Sequence, residues 1–233
     1  MNPPIQLILV PQGAEHQAVC RGLRAGFNSP LVLPVPVGPV PIRNRLKALE
    51  QDGHFSNQPN VLVMGLCGSL TPHHAVADVV LYQDCIYQPS SPQLPFHNSQ
   101  PLFFDRPLTT HLQEKLGNQA TMVTALTSDR ILWSTTEKQA LANHADVVDM
   151  EGYPTVEFFQ QRGIAVATLR VVSDNCHHDL PDLTSAISLE GSLLPGRMAI
   201  GMLRRPIGAV RLIRGSLQGL KVLHRVTTAL FTG

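Results

Sequence analysis

Ile5-Gln6-Leu7-Ile8-Leu9-Val10-Pro11-Gln12-Gly13 is a short apolar run closed by a proline and a glycine. Leu31 to Val37 and Val61 to Met64 repeat the pattern, each followed by a turn that carries glycine. These runs lack an apolar/polar alternation, and such runs fit strands buried on both faces, as in a parallel sheet. Between them, Ala14 to Ala25 and Ile42 to Gln51 hold helix formers with apolar positions three and four apart. The first third therefore reads strand, helix, strand, helix, strand, which is how a doubly wound α/β sheet begins.

Downstream, Val76 to Tyr87 has the composition of a long strand, and Pro89 to Pro107 is a polar, proline-rich stretch expected to run over the surface. Ser134-Thr135-Thr136-Glu137 is a capping-box pattern that predicts a helix to about Asn143. Val147 and Val148 predict a short strand, followed by a helix through Arg162 and a strand from Ile164 to Val172. From Leu193 the chain reads as one or two helices broken near Pro206 and Gly208. In open α/β sheets ligands sit beyond the carboxyl ends of the strands, where this reading places Gly65, Glu151 and Asp174.

At 233 residues, 43% hydrophobic and 15% charged, one compact domain over 1–233 is expected. About 190–233 forms a basic helical extension. The formal charge of +1 hides this asymmetry: no Asp or Glu follows Glu190, whereas Arg197, Arg204, Arg205, Arg211, Arg214, Lys221 and Arg225 all do. Cys20, Cys67, Cys85 and Cys176 form no Cys-x-x-Cys pair, which points to a reducing cytoplasm. The start at Met1-Asn2-Pro3-Pro4 lacks the features of a signal peptide, and no run of about 18 apolar residues offers a membrane span. His177 and His178 stand near Asp179 and Asp182, but adjacent histidines point apart on most backbones, so no metal is expected. The basic residues are not interleaved with aromatics, which argues against nucleic acid as a partner.

Val148-Asp149-Met150-Glu151-Gly152, followed after a helix and a strand by Leu169-Arg170-Val171-Val172-Ser173-Asp174, resembles the paired motifs of the nucleoside phosphorylase superfamily. The likeness is closest to its methylthioadenosine and S-adenosylhomocysteine nucleosidase branch. Gly65-Leu66-Cys67-Gly68-Ser69-Leu70 is similar to that family's glycine-rich loop, with Cys67 where a small residue is usual. Val37-Gly38-Pro39-Val40 fits the turn that opens its second helix, and Thr127-Ser128-Asp129-Arg130-Ile131-Leu132 falls where the family borders the base. Five pieces in order cover residues 5 to 180. The resemblance implies a three-layer α/β/α fold with a mixed, mainly parallel central sheet, followed by C-terminal helices. It also implies a homodimer or larger homo-oligomer, no cofactor, and cleavage of the N-glycosidic bond of an adenine nucleoside with water or inorganic phosphate as co-substrate.

Breaking a C1′–N9 bond leaves positive charge on the ribose and electrons on the purine, so a catalyst must protonate the base and shelter the sugar cation. By resemblance the acid is Asp174, oriented by Ser173; it must arrive protonated, a condition that partial burial at a strand end favours. Glu151 stays ionised and accepts from the ribose hydroxyls, with Met150 packed under the sugar. Cys67, Gly68, Ile131 and Leu132 line the base pocket, and Arg170 either positions the acid or the wall or makes a local salt bridge. Taken singly, a Glu at a helix start and a Ser-Asp after a strand are equally ordinary caps.

For the nucleophile, Glu15 stands where nucleosidases of the family activate water, and a helix-dipole role fits it as well. Phosphorolysis would need arginines for the dianion; Arg43 and Arg45, just beyond the Gly38 turn, are the candidates, with simple solvation as their plain reading. A non-catalytic nucleoside-binding module on the same fold is the third reading. Arg204-Arg205-Pro206, flanked by apolar helices, resembles the tail of hopanoid-associated members, which act on adenosylhopane. That likeness implies peripheral contact with an anionic membrane, while a helix that covers the sheet or joins two subunits fits the same pattern.

Overall fold

The computed structural model describes residues 5–23, 29–89, 100–188, 190–192 and 194–231. Three strands and two helices match the first reading: β1 (Leu7–Pro11), α1 (Ala14–Gly22), β2 (Leu31–Val35), α2 (Pro39–Gln51) and β3 (Val61–Ser69). Gly38, at φ 102°, takes a left-handed turn that an L side chain resists, and Pro39 then supplies the fixed φ of a first helical turn. The third strand runs well past Met64, so Gly65 lies inside it rather than at its end.

The chain continues through β4 (Val79–Gln88), β5 (Leu102–Phe103), α3 (Arg106–Leu116), β6 (Ala120–Ser128), α4 (Thr135–Leu141), β7 (Val147–Asp149), α5 (Gly152–Gln160) and β8 (Val166–Asp174). Residues 90–99 of the expected proline-rich excursion lie outside the described residues, as do Met1 to Pro4 and Leu193. The described remainder of that excursion is not a loop throughout: Leu102 and Phe103 pair with Cys85 and Asp84, and Asp105 then caps α3 by accepting from the Leu108 N–H at 2.8 Å. The break in the C-terminal helices falls at Arg205, between α6 (Pro195–Arg204) and α7 (Pro206–Phe231).

The capping box at Ser134 is not formed. Ser134 makes no side-chain cap, and Glu137 is drawn to Arg130 instead. The orphan donors of α4 are satisfied from a distance: Asp179 Oδ1 accepts from the Thr135 N–H at 2.8 Å and from its hydroxyl at 2.9 Å. A carboxylate offered by the segment after β8 outcompetes the local box and ties that segment to α4.

Among the described residues the sheet has eight strands, with β2-β1-β3 parallel at one side and β4-β6-β7 parallel at the other. β8 joins the halves, parallel to β3 and antiparallel to β4. The end of β3 also pairs antiparallel with β7, so β3, β8, β4, β6 and β7 form a closed circuit. One face of the sheet packs on α2 and α5 through Leu9, Val63, Leu46 and Phe159; the other packs on α1, α3 and the second half of α7 through Ile8, Leu62, Leu112 and Leu223. This is the expected three-layer α/β/α arrangement with a mixed, mainly parallel sheet.

Candidate active site

The circuit closes imperfectly at the end of β3. Gly68 is paired both with Val148 of β7 and with Asp174 of β8, across a register shift between Cys67 and Gly68. The two partner strands diverge there, and each delivers a carboxylate: Glu151 just after β7, Asp174 at the tip of β8. A Cβ on Gly68 would stand 2.8 Å from Asp174 Oδ2, so the missing side chain is what lets that carboxylate lie over the strand.

Between them opens a cleft with a cavity volume of about 250 Å³. Glu15, Glu151, Asp174 and Ser173 line it, as do Met150, Cys67 and Gly68, with Ile131 and Leu132 from the segment after β6. Leu180, Pro181, Leu183 and Ile187, from the connection between β8 and α6, add an apolar wall, and Leu212 of α7 completes it. Apolar walls with a few convergent polar groups are the ordinary form of a small-molecule site.

Arg43 and Arg45 do not reach the cleft, and of the readings open for Arg170 the salt bridge is the one formed. Arg170 is fully buried and lies behind the cleft, not on its wall: one guanidinium nitrogen, Nη2, reaches Asp149 Oδ2 at 3.0 Å and Glu151 Oε2 at 3.1 Å. Gly65 leaves room for this group, since a Cβ there would stand 2.3 Å from Arg170 Nη1 and 2.8 Å from Glu15 Oε1. Arg43 turns away to Glu157 on α5, with Nη2 to Oε2 at 2.9 Å, and neither Arg43 nor Arg45 lines the cleft. A pair between α2 and α5 takes the charge that phosphate would need.

Glu151 is only 4% exposed. Its Oε1 accepts from the Gly38 N–H at 3.1 Å, so the turn before α2 is fastened to the start of α5. Burial pushes its carboxyl up to about 7, opposed by Arg170 and reinforced by the negative charges of Asp149 and Glu15. Its carboxyl therefore stands above the ordinary carboxylate range chiefly because it is buried, although one guanidinium nitrogen reaches both it and Asp149. Glu15 is also raised by burial, against Arg170 and the Leu66 N–H that its Oε1 accepts at 2.6 Å. Burial pushes the Cys67 thiol well up, with Arg170 opposing, so this sulfur is no thiolate nucleophile.

At the other side Ser173 Oγ donates to Asp174 Oδ1 at 3.0 Å and lies 3.1 Å from the Cys67 carbonyl. Asp174 Oδ2 is in an ion pair with the ammonium of Lys138, which is fully buried and also donates to the Asn175 carbonyl at 3.1 Å. A buried cation thus sits beside the carboxyl expected to act as the acid, and the pair is held by Coulomb attraction. Lys138 and Asp149 are the two groups that sequence reasoning missed. Asp149 lay within the quoted motif; it receives the Thr127 hydroxyl at 2.7 Å and the Gly152 N–H at 3.1 Å as well as Arg170. Lys138 gave no local signal, since its partner stands 36 positions away.

The model of the Phosphorylase superfamily matches residues 28–190. No curated protein matches the sequence. Among solved structures, a futalosine hydrolase mutant of Helicobacter pylori is similar with a TM-score of 0.69 at 15% identity, over 97% of both chains. The 5′-methylthioadenosine/S-adenosylhomocysteine nucleosidase of the same organism gives 0.68 at 15% identity, over 96% of each. A putative nucleosidase of that kind from Borrelia burgdorferi, bound to adenine, gives 0.66 at 12%, over 97% of this chain and 98% of the other.

Proposed function

Because the chain belongs to the Phosphorylase superfamily, we propose that it cleaves the N-glycosidic bond of an adenine nucleoside by hydrolysis. The observation that carries this reading is the convergence of Glu15, Glu151 and Asp174 on one cleft whose remaining walls are largely apolar. Two similar structures, a methylthioadenosine/S-adenosylhomocysteine nucleosidase and a putative one bound to adenine, support the choice of base.

Each group has a task. The purine lies against Ile131 and Leu132, and Asp174, which enters the reaction protonated, gives that proton to N7 as the electrons of the C1′–N9 bond move onto the base. The carboxylate left behind is balanced by Lys138, so the ammonium makes Asp174 a better donor at the moment of transfer. Glu151, in its ionised form, accepts from the ribose hydroxyls and steadies the cationic sugar, with Arg170 and Asp149 fixing its position. Glu15 takes a proton from water as the water oxygen bonds to C1′. Hydrolysis is favoured over phosphorolysis because the arginine that does line the cleft, Arg130, is paired with Glu137, and Arg43 with Glu157. No cofactor enters the reaction, and the protein works in the cytoplasm.

The test is incubation of pure protein with methylthioadenosine, with adenosine and with an adenosyl lipid, each with and without phosphate. Free adenine without phosphate is the expected result. Strict phosphate dependence would make the protein a phosphorylase, and no base from any substrate would make it a binding module.

A further inference from the structure

Among the described residues, ten large hydrophobic side chains are exposed, and six of them fall between residues 200 and 217. Ile207, Val210, Ile213 and Leu217 follow one another at steps of three and four, so they form one stripe along the first half of α7, and Ile200 and Leu203 are exposed on α6 just before the break at Arg205. Leu203 is 79% exposed and Ile207 69%. The opposite side of the same helix is committed to the protein: Gly208 lies against the Asp179 carbonyl and Pro181, and Gly215 against the Ser173 carbonyl. The helix is therefore docked by its small residues and presents its large ones to the outside.

The charges carried by this segment have one sign. Arg197, Arg204, Arg205, Arg211, Arg214, Lys221 and Arg225 are exposed, and no acidic residue occurs after Glu190. Among the described residues only Arg205 of this group forms an ion pair, with Asp179 at 3.0 Å. No helix among the described residues is long and apolar enough to cross a membrane. A helix with an apolar stripe and basic flanks lies in the plane of an anionic bilayer, apolar side among the acyl chains and cations at the headgroups. A second copy of the chain is a poorer occupant, because a two-fold contact would set arginine against arginine. We propose that residues 197–225 dock the protein on an anionic lipid surface. The segment 179–187 packs on the buried side of these helices and lines the cleft, so the docked molecule would hold its cleft close to the membrane.

The experiment is co-sedimentation of the full chain with phosphatidylcholine vesicles and with vesicles in which about a third of the lipid is phosphatidylglycerol, at low salt. The parent should pellet with the second and not the first. Leu203→Gln/Ile207→Gln should remove this binding while leaving the melting temperature and adenine release from a soluble nucleoside unchanged, since both side chains are exposed and neither lines the cleft. Arg204→Gln and Arg211→Gln should weaken binding about fivefold each. No pelleting of the parent, equal pelleting with both vesicles, or undiminished binding by the double apolar variant would each overturn the proposal. So would size-exclusion chromatography in which the parent is an oligomer and the double variant dissociates, which would make the stripe a subunit contact. The sedimentation, melting and chromatography readouts do not depend on the hydrolase reading.

Discussion

The pair formed by Lys138 and Asp174 makes a prediction whose sign comes from burial. The Lys138 side chain is wholly enclosed, whereas the Asp174 side chain is 13% exposed and faces the cleft. Removing the acid strands a cation in the interior; removing the lysine strands a carboxylate that water can still reach. Breaking a buried pair from the costly side destabilises by about 3–5 kcal/mol, and a partly hydrated orphan should cost less, about 1–3 kcal/mol. Asp174→Asn should therefore lower unfolding free energy more than Lys138→Met, with the Asn175 carbonyl retaining one partner for the ammonium. The double variant should be more stable than the sum of the singles by about 2 kcal/mol, because no charge is left unpaired. Urea denaturation of the four proteins, with midpoint and slope fitted separately, measures this. A coupling energy below about 0.5 kcal/mol, or a Lys138→Met variant less stable than Asp174→Asn, would refute the argument. The same samples test the chemistry: Asp174→Asn should lose about 10² or more in kcat while binding is largely kept.

Glu151 must be ionised to hold the ribose, and its carboxyl is raised to about 7, so kcat/KM should climb as pH rises through that region, and Glu151→Gln should abolish this limb of the profile. Glu15→Gln should depress hydrolysis by about 10² or more while adenine still binds, as judged by calorimetry; retention of full turnover would remove the carboxylate from the water's path. In α7, Gly215→Ala would bring a Cβ to 2.1 Å from the Ser173 carbonyl and should cost about 1–3 kcal/mol, seen as a lower melting temperature. Gly196→Ala in α6 meets nothing within 4 Å and should instead be neutral or stabilising by up to about 1 kcal/mol.

The doubly wound start was legible because its strands are buried on both faces, and continuous apolar runs with glycine turns mark such strands. The segment from Leu108 to Ala125 went unassigned although Asp105, Pro107 and the Leu108, Leu112, Leu116 stripe carry an ordinary helix start and buried side. The Ser134 box misled because local pattern says nothing of Asp179, a stronger acceptor brought in by the fold. Glu15, Glu151 and Asp174, with Met150, Ile131 and Leu132, could be named from motif order, whereas the wall made by Leu180, Pro181, Leu183, Ile187 and Leu212 could not. What could not be named was charge pairing: Arg170 serves Asp149 and Glu151 from behind, Arg43 is spent on Glu157, and Lys138 reaches Asp174, all across spans that only the sheet closes.

The forked end of β3 has a mechanical meaning. Its two neighbours lead to Glu151, just past the end of β7, and to Asp174, at the tip of β8, so the separation of the two carboxylates is set largely by one hydrogen-bonded frame. A change of length or composition in the segments around the opening would reshape the cleft while leaving the gauge between Glu151 and Asp174 tied to the sheet.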